Sequence, residues 1–491
     1  MRVFPILFII SAGFLVVLSS VFYNNIAERQ STTHVIELRE NGFYPAKLTI
    51  QKGDAVNFIT TGGKPFWPAS NLHPTHGIYP EFDPQKPIEP EESWIFRFDQ
   101  VGEWKYHNHL VSPYKGTIIV IGENGAGGDK RIKGECENLA GSQQAQCWEE
   151  LMEETLKESG VGAAFDALDN LYVSEPRFAA SCHGYTHLIG EEAYRLFAAD
   201  QHMLLTAKTS YCGYGFYHGF METLLYTTGD IKKAQEFCVY VDQELGSTTS
   251  YAGERACYHG IGHGAIDASD PRTWGDAQAI IEPGLQLCEM VGETERQLFL
   301  CGNGVFNALA NMFTDSKYEL SLNRSDPFWI CKLQSKPYFK KSCYSQMTGV
   351  IPYLVDYNFL ESLKFVETIT EEEYISHTIR SLAQLAASFH SQEHNYSDVV
   401  LDCRTLEKYL HTYCMGGFAV GIMEFGPPEV EYVDAMNFCQ KELLTEEEQQ
   451  FCLRRIFSRA SGYYSPEKYL GICAATDEKY RATCLRFAPI L

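Results

Sequence analysis

Three stretches of the chain carry ligand-type side chains one helical turn apart. CHGYTHLIG holds His183 and His187, YCGYGFYHGFME holds His218 and Glu222, and CYHGIGHGA holds His259 and His263. Side chains at i and i+4 share one face of a helix, so each stretch presents a pair of donors. Helical pairs of His, or of His and Glu, aimed at a common axis are how bundles build metal sites. Nitrogen and oxygen donors suit zinc, iron or copper. His218 stands six residues after Cys212 and His263 six after Cys257, whereas the equivalents after Cys301 and Cys414 are Asn307 and Val420. The expectation is a metal site in three consecutive helices, drawn from His183, His187, His218, His259 and His263. The preferred set is His187, His218, His259 and His263, with Glu222 as ligand or proton acceptor. The bland alternative is a set of hydrogen-bonded structural histidines in a polar interior.

What must position these pairs is a repeat. Segments that begin at a cysteine recur at 182, 212, 257, 301, 343 and 414. Intervals of about 30–45 residues match helix–turn–helix units that stack into solenoids or toroids. The longer interval between 343 and 414 hides one unit without its cysteine. Glycines crowd the start of each unit, as in CYHGIGHGA and CGNGVFNALA. They oppose helix formation, so close backbone approach between inner helices is the expected compensation.

All sixteen cysteines lie from Cys136 onward, and they fall into near neighbours. The expected pairs are Cys136 with Cys147, Cys238 with Cys257, Cys288 with Cys301, Cys331 with Cys343, Cys403 with Cys414, Cys439 with Cys452, and Cys473 with Cys484. Cys182 with Cys212 is left as the eighth. A short gap joining two amphipathic stretches brings Cα atoms within bonding range, and no CxxC zinc knuckle is present. Eight disulfides are expected, each contributing roughly 2–4 kcal/mol, and they imply an oxidising compartment.

At 491 residues the chain has room for about three domains. Val3 to Tyr23 is free of charge, long enough at 1.5 Å per residue to span about 30 Å. Residues 1–30 are therefore expected to be an N-terminal transmembrane anchor, with the membrane as partner and the rest extracytoplasmic. A cleaved signal with secretion is the alternative. Residues 31–122 alternate at period two, as in AKLTIQKGDAVNFIT and GTIIVIG, which predicts a small antiparallel β-sandwich. Residues 123–131 form a glycine-rich linker, and from 132 to 491 the period becomes helical. The fold class is thus multidomain: anchor, all-β sandwich, then an all-α disulfide-stapled repeat, solenoid or toroid. Net charge is −23, yet residues 31–122 carry eight Lys/Arg against ten Asp/Glu, so almost all the acidity lies in the helical part. An acidic body argues against nucleic acid as a partner.

Two stretches of the β region, FYPAKLTIQKGDAVNFIT and VGEWKYHNHLVSPYKGTIIVIG, resemble the opening strands and closing hairpin of the cupredoxin family. The resemblance spans essentially residues 31–122 and implies a Greek-key sandwich with copper between loops at one end. Where blue-copper members place a cysteine after the tyrosine, this chain has His107 after Tyr106, and Tyr114 stands at the methionine position. A blue copper–thiolate centre is thereby excluded. GEWKYHNH instead looks like the W-Y-H-x-H segment of multicopper oxidase domains, in which both histidines bind copper. The resemblance implies copper at His107 and His109, joined by His73 and His76 of LHPTHG, where the family's first ligand histidine sits.

The expected function is that of a membrane-anchored, extracytoplasmic copper-binding metalloprotein, in redox or metal handling, with a second histidine-rich site in the helices. A copper-linked oxidoreductase and a metal-delivery protein are its two forms, each requiring a redox or metal-delivery partner. The alternatives are a metal-dependent hydrolase using Glu222 as general base and a metal-free structural or interaction module.

Overall fold

Alternating inward and outward side chains turn residues 33–121 into eight strands. They are β1 (Thr33–Arg39), β2 (Gly42–Tyr44), β3 (Lys47–Gln51), β4 (Ala55–Thr60), β5 (Pro68–Ser70), β6 (Trp94–Arg97), β7 (Gly102–Asn108) and β8 (Val111–Ile121). The computed structural model describes residues 30–122, 136–200, 203–245, 252–267, 270–390, 396–426, 430–441 and 443–488. The strands form two four-stranded sheets, β2-β1-β4-β6 and β3-β8-β7-β5. Period-two side chains from both, including Ile36, Val56, Phe58, Trp104, Tyr106 and Ile118, fill the space between them and are fully buried. The sheets are mixed rather than antiparallel: β1 runs parallel to β4 and β3 parallel to β8. Side-chain alternation fixes which face is buried and carries no signal for strand direction.

The long connection between β5 and β6 (residues 71–93) is buried over much of its length. Ser70 and Asn71 hold its start against Phe82 and Lys105 by backbone hydrogen bonds. Leu72 reaches into the helical part, where it packs so closely on Gly184 that a Cβ there would lie 3.0 Å from Leu72 Cδ1.

Beyond residue 136 the described chain is helical. Its helices of fifteen residues or more are α1 (Gly141–Ser174), α2 (Cys182–Asp200), α3 (Tyr211–Thr228), α4 (Ile231–Leu245), α5 (Ala252–Asp267), α6 (Ala277–Val291), α7 (Glu295–Phe313), α8 (Glu372–His390), α9 (His411–Phe425) and α10 (Glu446–Ser461). Helices α2, α3, α5, α7, the shorter Pro337–Gln346, α8, α9 and α10 pack in succession. Glycine permits this spacing: a Cβ on Gly219 of α3 would lie 2.1 Å from the carbonyl oxygen of His187 on α2. The end of the series returns to its beginning. Arg459 Nη1 of α10 donates to Tyr214 Oη of α3 at 3.1 Å, and Tyr463 packs on Tyr211 with ring centroids 5.6 Å apart. The inner helices therefore close into a ring.

All eight expected disulfides are present, with Cα separations of 5.3–5.8 Å. Cys136 is bonded to Cys147, Cys182 to Cys212, Cys238 to Cys257 and Cys288 to Cys301. In the second half Cys331 is bonded to Cys343, Cys403 to Cys414, Cys439 to Cys452 and Cys473 to Cys484. Cys147, Cys343, Cys452 and Cys484 each lie inside a helix and tie it to the segment just before it. The eight bonds suit an oxidising environment outside the cytoplasm.

The expected anchor over residues 3–23 lies outside the described residues, and no described helix is long and apolar enough to cross a membrane. Membrane anchoring, as an element of the fold and as a partner contact, is accordingly not supported. Freedom from charge is a condition for a membrane span and does not by itself make one. The expected linker over 123–131 also lies outside the described residues.

The β unit and the helices are packed on each other. Gln146 Nε2 of α1 donates to the Glu103 carbonyl at 2.7 Å, Lys105 Nζ to Glu153 at 2.8 Å, and Asn71 Nδ2 to Glu149 at 2.7 Å. Lys115 of β8 pairs with Glu191 of α2.

Candidate metal centre

The four histidines of the β unit meet. His73 and His76 come from the β5–β6 connection, His107 from the end of β7, and His109 from the turn that follows. All four are buried, and one donor nitrogen from each lies within 4.8 Å of the other three. His107 and His109 do not form a simple same-face clamp. The β7–β8 ladder shifts register at His107 and Asn108, so His109 is re-aimed from beyond the strand end. Asn108 holds that kink by accepting Trp67 N–H at 2.8 Å.

Ring nitrogens divide into inner and outer sets. Inside, His73 Nδ1 is 3.1 Å from His107 Nε2, and His76 Nε2 is 3.0 Å from His109 Nδ1. Outside, His76 Nδ1 donates to Asp83 Oδ2 at 2.6 Å and His107 Nδ1 to Asn71 Oδ1 at 3.2 Å. Those bonds assign the N–H tautomer to the outer nitrogen and turn the inner lone pair toward the other rings. A carboxylate or amide acceptor behind each ligating histidine is the usual support of a metal site. Burial, with repulsion among the rings, depresses His107 and His109 well below the ordinary histidine range. Burial also depresses His76, against the pull of Asp83. Neutral imidazoles are what a metal ion requires.

A second donor group adjoins the first and shares His73. His73 Nε2 is 3.8 Å from Glu222 Oε1, and His187 Nε2 is 3.4 Å from Glu222 Oε2. His73, His187 and Glu222 are all buried and offer three donors within 4.8 Å of one another. The outer nitrogen of His187 donates to Glu191 Oε1 at 3.2 Å. Burial opposes charge on Glu191, but Lys115 and His187 hold it well below the usual carboxylate range.

The other helical histidines are arranged differently. His187 faces His73 of the β unit and Glu222, whereas His183, His259 and His263 gather around His218. His218 stacks on His263 with centroids 4.0 Å apart and on His259 at 5.1 Å, and His183 lies 5.2 Å from His218. His183 Nδ1 donates to the Cys212 carbonyl at 2.8 Å. Both nitrogens of His218 are buried without a hydrogen-bond partner. Burial and neighbouring histidines push His218 down, and His259 down to about 3. His183 and His263 open with His76, Asp83, Trp67 and Lys317 onto one cavity of about 600 Å³.

Four supporting residues were not marked in the sequence. Glu191 carries a legible signal, four residues after His187 on the same helical face. Asp83 lies in the same connection as His76, while Asn71 and Glu149 are joined only by tertiary packing.

Copper fits the first group. Its donors are four imidazole nitrogens, and no cysteine is free, so a thiolate-bound blue centre is incompatible with this chain.

No protein-family profile matches the chain, and no curated protein matches it. Similar solved structures include the oxidised plastocyanin of Dryopteris crassirhizoma, at 20% identity, over 18% of this chain and 99% of that one, with a TM-score of 0.15. A mutant fern plastocyanin in oxidised and reduced forms is similar at the same identity, coverage and TM-score.

Proposed function

We propose that the chain is a copper-binding protein of an oxidising, extracytoplasmic compartment, holding the ion with His73, His76, His107 and His109. The observation that carries this reading is the inward turn of four buried imidazoles, two of which, His76 and His107, rest their outer nitrogens on Asp83 and Asn71. Bound copper would supply one-electron redox chemistry. The chain's own part is to fix the rings, keep them neutral and exclude bulk water. Between the redox and delivery forms, the cavity of about 600 Å³ beside His76 supports redox work on a bound molecule, since storage alone needs no such space.

A second ion is favoured by His73, whose two nitrogens face different donor groups. With His187 and Glu222 it forms a neighbouring site, so that one imidazole lies between two metal positions.

The test is metal analysis of the full chain purified without a polyhistidine tag and loaded with copper or zinc. The expected result is at least one tightly held copper, no intense blue absorption, and loss of that copper when His107→Ala and His109→Ala are combined. A His187→Ala variant that loses only a second equivalent supports the shared-imidazole arrangement. Folded protein that holds no copper, or an intense blue band, overturns the reading.

A further inference from the structure

One turn before His259 on α5 stands Arg255, and the inner helices that follow carry more arginine. Gly417 of α9 approaches Arg380 as Gly304 of α7 approaches His259: a Cβ would lie 2.3 Å and 2.0 Å from the respective carbonyl oxygens. Gly417 and Gly304 also stand three residues after their repeat cysteines, Cys414 and Cys301. Arg380 therefore occupies in α8 the inward position that His259 occupies in α5. The unit that lacks its cysteine has exchanged an imidazole for a guanidinium.

Other cations gather on Arg380. Arg455 comes from α10, its Cγ 3.0 Å from where a Cβ on Gly416 would stand. Arg255 comes from the first turn of α5, Lys341 from Pro337–Gln346, and His377 lies one turn before Arg380 and hydrogen-bonds to it. Arg255 is exposed, and the others are half-buried. Among the described residues no carboxylate balances them. Arg455 feels Arg380, Arg255 and Arg459, all repulsive, and its buried Nε has no hydrogen-bond partner. The nearby acid Glu424 is engaged instead by Arg459, at 4.0 Å, and by Gln384. Burial and the neighbouring cations bring Arg455 down to about 10 and His377 down to about 4. Lys341 and His377 also line a cavity of about 560 Å³, whose two acids, Glu295 and Glu373, are exposed.

A guanidinium keeps its proton, so half-buried arginines without counter-charge are costly unless something else neutralises them. In a chain of net charge −23, their gathering at one place inside the ring is selective. We propose that Arg255, Arg380 and Arg455, with Lys341, bind a small oxyanion, carboxylate or phosphate, inside the helical ring. Forked N–H donors match either group in two-point hydrogen bonds. The site is separate from the metal-binding residues and stands whether or not copper is bound.

The test is calorimetric titration of the full chain with inorganic phosphate and, separately, with succinate, at constant ionic strength set by chloride. Saturable binding of at least one is expected, with phosphate alone indicating a phosphoryl ligand and succinate alone a carboxylate ligand. Arg380→Gln and Arg455→Gln should each weaken binding by about tenfold or more. Arg255→Gln, at an exposed position that leaves the core untouched, should weaken it in the same direction. Arg272→Gln, at a surface arginine paired with Asp270, should leave it unchanged. Absence of binding by both anions, or affinities in the three cluster variants equal to the unaltered chain, overturns the proposal.

Discussion

Asn71 of the β unit donates its side-chain amide to the carboxylate of Glu149 on α1 at 2.7 Å, and on its other side accepts from His107. One side chain thus links a helical acid to a histidine of the four-imidazole group across the interface between the units.

Glu149 is fully buried, and its Oε2 has no hydrogen bond. Burial pushes its pKa up to about 7, against the opposing effect of Lys105. The folded chain therefore binds a proton there that the unfolded chain releases above about 4.5. Stability from this group is fully present below that value and declines as pH rises toward 7. Glu149→Gln should keep the Asn71 bond and remove the decline, raising stability at pH 8 by about 1–3 kcal/mol with little change at pH 4. Denaturant unfolding at the two pH values measures this, and an equal change at both would show that burial of the charge is not the cause.

Asp83 fixes the tautomer of His76 and also accepts Trp67 Nε1–H at 2.7 Å. Asp83→Asn can retain the tryptophan bond through its oxygen, but its amide then faces His76 Nδ1 as a donor. The ring proton moves to Nε2, the nitrogen that faces His109. Copper affinity should fall about 10–100-fold with the fold intact, as read by competition with a chromogenic chelator alongside circular dichroism.

Gly219 and Gly471 separate close packing from helix propensity. Gly219→Ala would drive a methyl into the His187 carbonyl, and a loss of about 3 kcal/mol or more is expected. Gly471, in the helix Pro466–Ala475, has nothing within 4 Å of its Cβ position. Gly471→Ala should therefore stabilise by about 0.5–1 kcal/mol. Thermal unfolding of the two variants should move in opposite directions.

Copper removal should lower the melting temperature of the chain as a whole. The ligand connection is gripped by both units, through Asn71–Glu149 and through Leu72 on Gly184. An ion at about 1,000 times its dissociation constant contributes roughly 4 kcal/mol to the folded form. Calorimetric scans before and after chelation should differ, and re-addition of copper should restore the first trace.

The cysteine pairing was legible because six of the eight pairs join residues 11 to 13 apart, so local geometry left few choices. Cys473 and Cys484 show the case well: each stands in its own short helix, with only a tight turn between them. The donor residues were legible as types. Their grouping was not: an i,i+4 pair states that two side chains share a face and says nothing of which neighbour that face meets. His187 therefore falls in with His73 of the β unit, rather than with His218. The parallel pairings β1–β4 and β3–β8 were hidden for the same reason, since partners distant in sequence leave no local trace. Arg380 was the least visible, because its repeat has lost the cysteine that marks the register.

The bond between Cys182 and Cys212 ties the starts of α2 and α3, the helices that bring His187 beside Glu222. The register of the two helices is thereby fixed covalently at their starts, so the separation of His187 from Glu222 is held by a bond as well as by packing.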